Sequence, residues 1–338
     1  MANFEQGPIR PPSEAASLLV RVSRNCPWNR CAFCSIYKGK RFSLRPVADV
    51  LADLDALREE VGTTPRTVFL QDANPLLTRT ADLVAILDGI RQRFHGVTRI
   101  TAYARSHTLA RRPVEELARL RQAGLDRLHV GMESGCDAVL TLVGKGTTRA
   151  EQIEGGRRAK AAGFELSEYV MPGLGGRELS AGHAEDTASA LAAIQPDFIR
   201  LRTIALVPRT ELFQLWQEGR FTPLTEVELL QEIRRFLGGL TAVSARLESD
   251  HILNLLMEIR GDLPADLPQM LGLCDRILEL PEPTRNRFIL ARRMGYRVDL
   301  RDLAQTALAD ELDSLLEQSR ARGLAPEELF ASLRMRMV

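Results

Sequence analysis

The segment from residue 17 to residue 240 alternates short apolar stretches with longer ones whose apolar residues recur at helical spacing. This alternation is typical of βαβ units, in which parallel strands are buried on both faces. The sequence therefore predicts an α/β fold, a partial (β/α)6 barrel of parallel strands. The six predicted strands are 17–23, 67–71, 99–104, 127–132, 165–171 and 198–207.

The alternation ends after residue 240. Residues 241–251 have the character of one further short strand, and leucines at helical spacing from residue 263 onward predict helices. We therefore expect an N-terminal arm (1–16), a partial barrel (17–240) and a mainly helical C-terminal appendage (241–338) that covers the mouth or the side of the barrel. The predicted C-terminal helices are 266–280, 284–294, 300–321 and 325–336.

Unusual residue clusters follow each predicted strand. In parallel α/β folds the functional site lies at the carboxyl ends of the strands. Three cysteines follow the first strand, and glycine-rich or polar segments follow the other five. The agreement between these positions predicts one site at this end of the barrel. The five segments are 71–77, 103–107, 131–136, 171–176 and 208–212.

Cys26, Cys31 and Cys34 lie close together, whereas His95 and Cys136 are the nearest other histidine and cysteine. A structural zinc site needs four protein ligands, and a local fourth ligand is missing here. Iron–sulfur clusters also bind cysteine thiolates. A four-iron cluster held by three thiolates leaves one iron open to a small molecule. A disulfide or inert role is the alternative, which a reducing compartment disfavours.

Composition limits the possible partners. Lys and Arg total 45 against 44 for Asp and Glu, so the formal charge is +1 and provides no basic field for nucleic acid or an anionic membrane. No segment approaches the roughly 20 apolar residues of a membrane span. The N-terminal residues are polar and lack the apolar core of a signal peptide. We therefore expect a cytoplasmic protein that binds neither membrane nor nucleic acid.

The cysteine segment reads RNCPWNRCAFCS. Together with the strand-end pattern and the six βα units, it resembles the radical S-adenosylmethionine (SAM) superfamily over roughly residues 17–240. In that family three cysteines hold a [4Fe-4S] cluster whose open iron binds the amino and carboxylate groups of SAM. Reductive cleavage then gives methionine and a 5′-deoxyadenosyl radical that abstracts hydrogen from substrate. The resemblance implies that Cys26, Cys31 and Cys34 are the cluster ligands.

The cysteine spacing differs from the family pattern at one point. The family usually has Cys-x3-Cys-x2-Cys, whereas this chain has Cys-x4-Cys-x2-Cys, with Phe33 matching the aromatic residue before the last cysteine. The longer gap leaves open a different cleavage of SAM, which releases a 3-amino-3-carboxypropyl radical.

Two further segments resemble SAM-binding motifs of the family. Gly131, Glu133 and Ser134, in GMESGCD, are similar to the G-x-E-S-G-S-D signature of the branch that includes methylthiotransferases and coproporphyrinogen dehydrogenases. That resemblance assigns Glu133 to the ribose hydroxyls, for which a carboxylate is a suitable acceptor. Asp72 and Asn74 align with the loop that holds the methionyl amino group, and a turn-capping role is their alternative.

The remaining candidates lie near other strand ends. Lys145 occupies the place of a basic residue for the methionyl carboxylate, with a surface lysine as the alternative reading. Leu206 falls where the sixth strand meets the adenine in the family. Arg105, Asp250 and His251 have no role in SAM binding by the resemblance. Because an Asp–His pair can transfer protons, we expect these three to face the substrate as catalytic residues.

We therefore expect a radical SAM enzyme that acts on a small molecule or a peptide enclosed at the barrel mouth. An electron donor such as flavodoxin or ferredoxin would reduce its cluster. The rival hypothesis is a non-catalytic iron–sulfur relay protein, in which the GMESGCD segment and the strand-end loops would have no task.

Overall fold

The computed structural model describes residues 4–296, 298–299 and 306–337. Ten strands form in this part of the chain: β1 (Leu18–Arg21), β2 (Ser23–Arg24), β3 (Ser43–Leu44), β4 (Thr67–Gln71), β5 (Arg99–Ala104), β6 (Arg127–Glu133), β7 (Glu165–Val170), β8 (Phe198–Leu201), β9 (Arg246–Glu248) and β10 (Arg260–Asp262). Eight of them make one sheet in the order β1-β4-β5-β6-β7-β8-β9-β10, while β2 pairs with β3.

Helices connect these strands and follow them. They are α1 (Val47–Val61), α2 (Thr80–Arg93), α3 (Ser106–Leu109), α4 (Val114–Gln122), α5 (Asp137–Leu142), α6 (Arg149–Ala161), α7 (Gly176–Ile194), α8 (Glu211–Gln217), α9 (Glu226–Gly238), α10 (Leu267–Leu278), α11 (Glu282–Arg293), α12 (Thr306–Ala321) and α13 (Pro326–Met335). Residues 300–305 of the predicted helix 300–321 lie outside the described residues.

The predicted parallel sheet is confirmed. The six predicted strands correspond to β1, β4, β5, β6, β7 and β8, which lie side by side and parallel. The sheet then continues, because β9 pairs parallel with β8 and β10 pairs antiparallel with β9. Since β1 and β10 are the two edges, the sheet is an open, partial barrel in the part of the chain that the structure describes. The division at residue 240 stays a prediction.

Two predicted strands are shorter than their apolar runs. Val22 separates β1 from β2, because its amide bonds to the carbonyl of Gln71 while the next two residues turn to pair with β3. At the other end, β8 stops at Leu201, although the apolar run extends to Val207. The amides of residues 202 and 204 still donate to carbonyls of residues 170 and 172, but the pairing of β8 with β9 ends with residue 200.

The sheet has one face covered by helices. The residues on this face alternate along each strand and join one large apolar core with the inner faces of the surrounding helices. Every one of the strand residues named here is completely buried. They are Val68, Leu70, Ile100, Ala102, Leu128, Val130, Leu166, Ile199 and Leu201.

The opposite, inward face carries aromatic and polar side chains. The rings of Phe69 and Tyr103 meet edge to face with centroids 4.9 Å apart, and the imidazole of His129 lies 6.0 Å from both Phe69 and Tyr169. Edge-to-face aromatic contacts of this kind are favourable. The strands thus provide an interior that is lined by groups able to face a ligand.

The N-terminal segment lies along this inward face. The side chain of Gln71 bonds to the backbone of Gly7 and Ile9, which fixes the segment beside β4. Farther along, Glu14 is fully buried and accepts a hydrogen bond of 3.0 Å from Nε2 of His129. The predicted irregular arm therefore fills part of the barrel interior.

A buried ion network joins the C-terminal helices to the sheet layer. Glu226 at the start of α9 contacts Arg293 of α11 at 2.5 Å and Arg334 of α13 at 3.3 Å.

Within the described residues, no helix has the length and apolarity to cross a membrane.

Candidate functional site

The cysteine loop (residues 25–42) is closed at its base by the pairing of β2 with β3. The amide of Asn25 donates to Asp72, and its side chain donates to the carbonyl of Arg41 at 2.6 Å. Asn25 and Asn29 have φ angles of 64° and 50°, in the left-handed region that asparagine tolerates better than most residues. These asparagines therefore shape the loop around the cysteines.

The four-residue gap between Cys26 and Cys31 contains an anchor. Nε1 of Trp28 donates to the carbonyl of Gly144 at 2.7 Å. A Cβ atom on Gly146 would lie 2.3 Å from the indole ring, so a glycine is required under it. The longer gap thus places an indole against the loop after α5.

The three thiols of the loop are half-buried and free. Burial raises the pKa of the Cys31 thiol, the charge of Lys145 opposes this, and Cys26 and Cys34 add to it. Burial also raises the pKa of Cys34, as does the charge of Cys26. Each thiol therefore lies within electrostatic range of the other two.

The donor set fits an iron–sulfur cluster. In the described part of the chain, no three His, Cys, Asp or Glu side chains converge closely enough to bind one metal ion. Thiolates that hold a four-iron cluster each bind a different iron, and such a cluster therefore does not need that convergence. The half-exposed loop with three thiols and two nearby cations, Arg105 and Lys145, suits an anionic sulfur-ligated group.

Asp72 fixes the cysteine loop to the end of β4. It is fully buried, and its Oδ2 accepts hydrogen bonds from the guanidinium of Arg21 at 2.6 and 2.9 Å and from the amide of Asn25 at 3.0 Å. Its Oδ1 accepts from the phenol of Tyr37 at 3.2 Å. Both oxygens thus have partners in the protein, and the predicted contact of Asp72 with SAM stays a prediction.

Asn74 has a buried acceptor that lacks a partner. Its Nδ2 donates to the hydroxyl of Thr108 at 2.7 Å, whereas its Oδ1 is buried without a hydrogen bond among the described residues. Buried polar atoms are normally paired, so an orphaned carbonyl oxygen suits a ligand donor such as an ammonium group.

Glu133 and Lys145 form an ion pair at the end of β6. Their Oε1 and Nζ atoms are 3.0 Å apart, and both side chains are nearly nine-tenths buried. Burial alone would lower the pKa of Lys145, but the charges of Glu133 and Cys31 outweigh it and raise this pKa. The lysine therefore carries its positive charge between the carboxylate and the cysteine loop.

The backbone around Glu133 explains the spacing of the GMESG segment. Glu133 has a φ of 64°, and the β6–β7 register shifts between Gly131 and Glu133. A Cβ atom on Gly131 would lie 2.4 Å from Oε1 of Glu133. The bulge turns the carboxylate back over residue 131, where only a glycine leaves space for it.

Ser134 lies on the other side of this turn. Its hydroxyl is fully buried, bonds to Nδ1 of His183 at 2.8 Å and accepts from the amide of Cys136 at 3.0 Å. Cys136 in turn precedes the first residue of α5. The structure therefore gives Ser134 partners in the protein, and its predicted role in SAM binding stays a prediction.

Phe33 and Leu206 belong to the same apolar cluster. This cluster is separate from the main core and combines the cysteine loop with α5, α8 and the segment after β8. The backbone of Ala32 holds it together, since its amide donates to Val143 at 2.8 Å and its carbonyl accepts from the amide of Leu212 at 2.9 Å. Two predicted cofactor contacts from distant parts of the sequence are thus brought together.

Arg105 lies beside the cysteine loop. Its guanidinium is 5.6 Å from the ring centroid of Trp28 and donates to the carbonyl of Lys145 at 3.1 Å. Burial lowers its pKa, and the charges of Cys26 and Cys31 oppose this effect. The structure therefore groups Arg105 with the thiols, while its predicted catalytic role is untested.

Asp250 and His251 lie across the inward face, beside β8. Asp250 is bound to the guanidinium of Arg200, whose side chain is only 7% exposed. Burial, and then the charge of Arg202, lowers the pKa of His251 to about 4. We call the group of side chains formed by Tyr169, Arg200, Arg202, Asp250 and His251 the arginine chamber.

Sequence reasoning missed both arginines of this chamber and one buried acid. The signal for the arginines is the RLR triplet at 200–202, since charged residues at alternate positions of an apolar strand point to one face. Glu168 on β7 is fully buried, its Oε2 has no partner among the described residues, and burial followed by the charge of Glu133 raises its pKa well above the ordinary value.

Size alone does not identify the site. A surface cleft of about 620 Å3 lies between α7 and α9, and none of the candidate residues lines it. Its charged groups are engaged in exposed pairs such as Arg177 with Glu228. The convergence of polar groups on the inward face is therefore the stronger indication.

Part of the chain matches a known protein family. The profile of the Radical SAM superfamily matches residues 20–186, which include the cysteine loop, Glu133 and Lys145.

Two relatives are modification enzymes by name. The chain is 29% identical over 198 residues to a tRNA-2-methylthio-N(6)-dimethylallyladenosine synthase of Alkalilimnicola ehrlichii, covering 54% of this chain and 42% of the relative. It is 23% identical over 120 residues to a tRNA uridine(34) acetyltransferase of Methanocaldococcus infernus, covering 35% of this chain and 22% of the relative. The matches thus span less than half of either relative.

One solved structure supports the fold. Coproporphyrinogen III oxidase (HemN) from Escherichia coli, described as a radical SAM enzyme, superimposes with a TM-score of 0.51 at 17% identity. The superposition covers 67% of this chain and 52% of that chain.

Proposed function

Residues 20–186 are a Radical SAM superfamily domain, and from this premise we propose that the protein generates a 5′-deoxyadenosyl radical to abstract hydrogen from a small-molecule or peptide substrate. Members of this superfamily are enzymes that use a [4Fe-4S] cluster and SAM, so this chain is an enzyme with these cofactors. When bound, they supply one-electron cleavage of the SAM sulfonium into methionine and the radical.

Cys26, Cys31 and Cys34 would hold the cluster. They are three thiols on a loop whose base is closed by β2 and β3. Asp72 contributes by fixing that loop to β4, because its oxygens accept hydrogen bonds from Arg21, Asn25 and Tyr37. These residues would hold the three thiols together at the carboxyl end of the sheet.

Polar residues around the loop would orient SAM. In the proposal, Glu133 accepts from the ribose hydroxyls, Lys145 binds the methionyl carboxylate, and the unpaired Oδ1 of Asn74 accepts from the ammonium. Phe33 and Leu206 form the apolar wall for the adenine. Lys145 is matched to the carboxylate by charge, whereas Glu133 and Asn74 are matched to the hydroxyls and the ammonium as hydrogen-bond acceptors.

The Glu133–Lys145 pair is the observation that carries this proposal. The pair is nearly buried at a strand end and lies within electrostatic range of Cys31. Burying an acid and a base is costly unless their geometry is good, so such pairs are weak evidence of stability. Their position next to the cysteine loop supports a ligand such as SAM, whose carboxylate would meet the lysine and whose ribose hydroxyls would meet the glutamate.

Asp250 and His251 are proposed to act on the substrate from the opposite wall. Because its pKa is about 4, His251 is neutral at pH 7 and can accept a proton. Asp250, which precedes the histidine in the chain, is held in place by Arg200. Arg105 is proposed to stabilise the negative charge of the cluster site.

The test is product analysis after anaerobic reconstitution with iron and sulfide. Incubation with SAM and dithionite should yield 5′-deoxyadenosine, and a Cys31→Ala variant should yield none. Cys274→Ala is the matched control, because Cys274 is a buried free cysteine of α10, and it should retain the activity. Methylthioadenosine in place of 5′-deoxyadenosine would instead support release of a 3-amino-3-carboxypropyl radical. A reconstituted protein that neither binds nor cleaves SAM would refute both.

An electron carrier and a location complete the proposal. Flavodoxin or ferredoxin is proposed as the donor, acting in the cytoplasm. Exposed basic residues flank the cysteine loop and offer charge complementarity to such acidic proteins. They are Arg30, Lys40 and Arg41.

A further inference from the structure

Arg202 is a buried cation without a bonded carboxylate. Its side chain is 16% exposed, and its Nη2 has no hydrogen-bond partner among the described residues. The Oδ1 atom of Asp250 is 3.9 Å from Nη2, too far for a hydrogen bond, and Asp250 already binds Arg200. The ring of Tyr169 supports the guanidinium from one side, with its centroid 5.0 Å away.

Other polar atoms of the arginine chamber are also unpaired. Nε of Arg200, Oδ1 of Asp250 and Nδ1 of His251 are buried and lack partners among the described residues. Buried polar atoms without a hydrogen-bond partner are rare in folded proteins. Nε of Arg200 and Nη2 of Arg202 are donors, and an acceptor absent from the protein itself would satisfy them. Oδ1 of Asp250 is itself an acceptor, so it is not counted as evidence for an anion.

The charges of the chamber do not balance. Arg200 and Asp250 neutralise each other. Burial, together with the charge of Arg202, keeps the pKa of His251 low, so this side chain is neutral at pH 7. Burial likewise raises the pKa of the Tyr169 phenol, which stays neutral. Arg202 therefore leaves one uncompensated positive charge on the inward face.

We propose that the arginine chamber binds an oxyanion of the substrate, a carboxylate or a phosphate group, through the guanidinium of Arg202. Such groups accept two parallel hydrogen bonds from a guanidinium, which orients as well as holds them. This inference deepens the proposed function and rests on it for the identity of the ligand as substrate.

The chamber is placed to orient a substrate relative to SAM. Tyr169, which carries Arg202 on its ring, is directly paired with Gly131 across the β6–β7 ladder. Gly131 in turn lies under the Glu133 carboxylate. An anion on Arg202 thus anchors the substrate one strand away from the proposed ribose site, with His251 beside it.

The test measures thermal unfolding of the cluster-reconstituted protein in a chloride-free buffer without SAM or reductant. The probes are inorganic phosphate and propionate, with glycerol as the uncharged comparison. At about tenfold excess over its dissociation constant, a bound anion should raise the midpoint by about 2–4 °C. Arg202→Met should remove this rise, and Arg202→Lys should restore part of it. Arg220→Met, at an exposed position, should respond as the wild type does.

The sign of the ligand-free result separates binding from structure. Without anion, Arg202→Met should melt at or above the wild-type temperature, because it removes an uncompensated buried charge. Arg200→Met should melt lower, because it strands Asp250. A response to phosphate alone, or to propionate alone, identifies which oxyanion the chamber takes. The proposal is overturned if neither raises the midpoint more in the wild type than in Arg202→Met, or if Arg202→Met alone melts several degrees lower.

SAM cleavage is scored separately, so the two proposals can fail independently. Formation of 5′-deoxyadenosine without substrate is measured in the wild type, and Arg220→Met, at an exposed position, should match it. Anion binding without SAM cleavage would remove the proposed function and leave the chamber. SAM cleavage without anion binding would refute the proposed anion site and leave the proposed function.

Discussion

One absent methyl group decides the geometry of the proposed ribose site. A Cβ atom at residue 131 would lie 2.4 Å from Oε1 of Glu133 and 3.3 Å from Nζ of Lys145. The first contact is too short to persist, so a side chain at this position would shift the Glu133 carboxylate relative to its lysine.

Gly131→Ala should therefore weaken SAM binding. A hydrogen bond to a charged group is worth about 1.5–3 kcal/mol, so the dissociation constant should rise about tenfold or more. The measurement is equilibrium binding of SAM to the reconstituted protein. Gly182→Ala is the control, because the added methyl meets only Sγ of Cys136 at 3.7 Å and should leave binding unchanged. Undiminished affinity in Gly131→Ala would show that SAM does not need this pair.

The protonation of His251 should be visible in the pH dependence of stability. Its pKa is about 4 in the folded protein, below the ordinary value of about 6.5. The unfolded chain therefore binds the proton more readily, and stability falls as the pH drops from about 6.5 to about 4. In His251→Gln this contribution is absent, so denaturant unfolding from pH 7 to pH 4 should show a smaller loss than in the wild type. Parallel curves for both proteins would contradict the burial of the imidazole.

At the residue scale, predictions were possible where a motif stands alone. The cysteines and the GMESG segment were recognisable from spacing, and the structure brings Glu133 next to Lys145 and Cys31. Arg200 and Arg202 carry no such signal. Their alternation is visible in the sequence, but Asp250, which binds Arg200, comes from a loop 50 residues later, and only the folded sheet brings this loop to the arginines.

At the scale of elements, the cysteine loop also has an outer surface. Its three thiols are half-buried, whereas Arg30, Lys40 and Arg41 are exposed on the same loop. Ile36 of the same loop is an apolar residue whose side chain is also exposed, at 37%. A basic rim around an exposed apolar residue suits a transient acidic partner.

Reversing two of these charges should slow reduction by a protein donor. Lys40→Glu combined with Arg41→Glu should lower the rate of cluster reduction by reduced flavodoxin by about tenfold at low salt, because steering attraction becomes repulsion. Reduction by dithionite is the internal control and should be unchanged. Rapid-mixing absorbance measures both rates. Equal slowing with both reductants would assign the effect to the cluster loop itself instead of docking.

The strands were predictable as elements because each one is a short apolar run between helices. β9 lies within the one further strand predicted at 241–251, whereas β10 was not predicted. Each has only three residues, which are held by pairing with neighbours more than by their own pattern. The start of α7 cannot be predicted from the local sequence pattern either. Its first residue, Gly176, has a φ of 62° and lies against Phe221, a contact that no local pattern reveals.

At the scale of the whole molecule, the C-terminal helices are held by buried charge. Glu226 and Arg293 are each 2% exposed, and Arg334 also contacts Glu226. Removing one partner leaves unpaired charges in the interior, which is more costly than losing a surface pair.

Glu226→Gln should therefore lower the free energy of unfolding by about 3–5 kcal/mol, since two buried arginines lose their carboxylate. Urea denaturation followed by circular dichroism measures it. Glu218→Gln, in an exposed pair with Arg220, should change it by about 0–1 kcal/mol. A similar small effect of both substitutions would mean that α11 and α13 do not depend on this network.

The N-terminal arm inside the barrel has a consequence for the order of folding. Glu14 meets His129 across a sequence separation of 115 residues, and Gly7 meets Gln71 across 64. The first contact needs β6 in place and the second needs β4, and the entropic cost of closing each loop must be met before the contact stabilises the fold. The segment at the start of the chain is therefore among the last to reach its native place. Until it does, the aromatic interior around His129 is not covered by this segment.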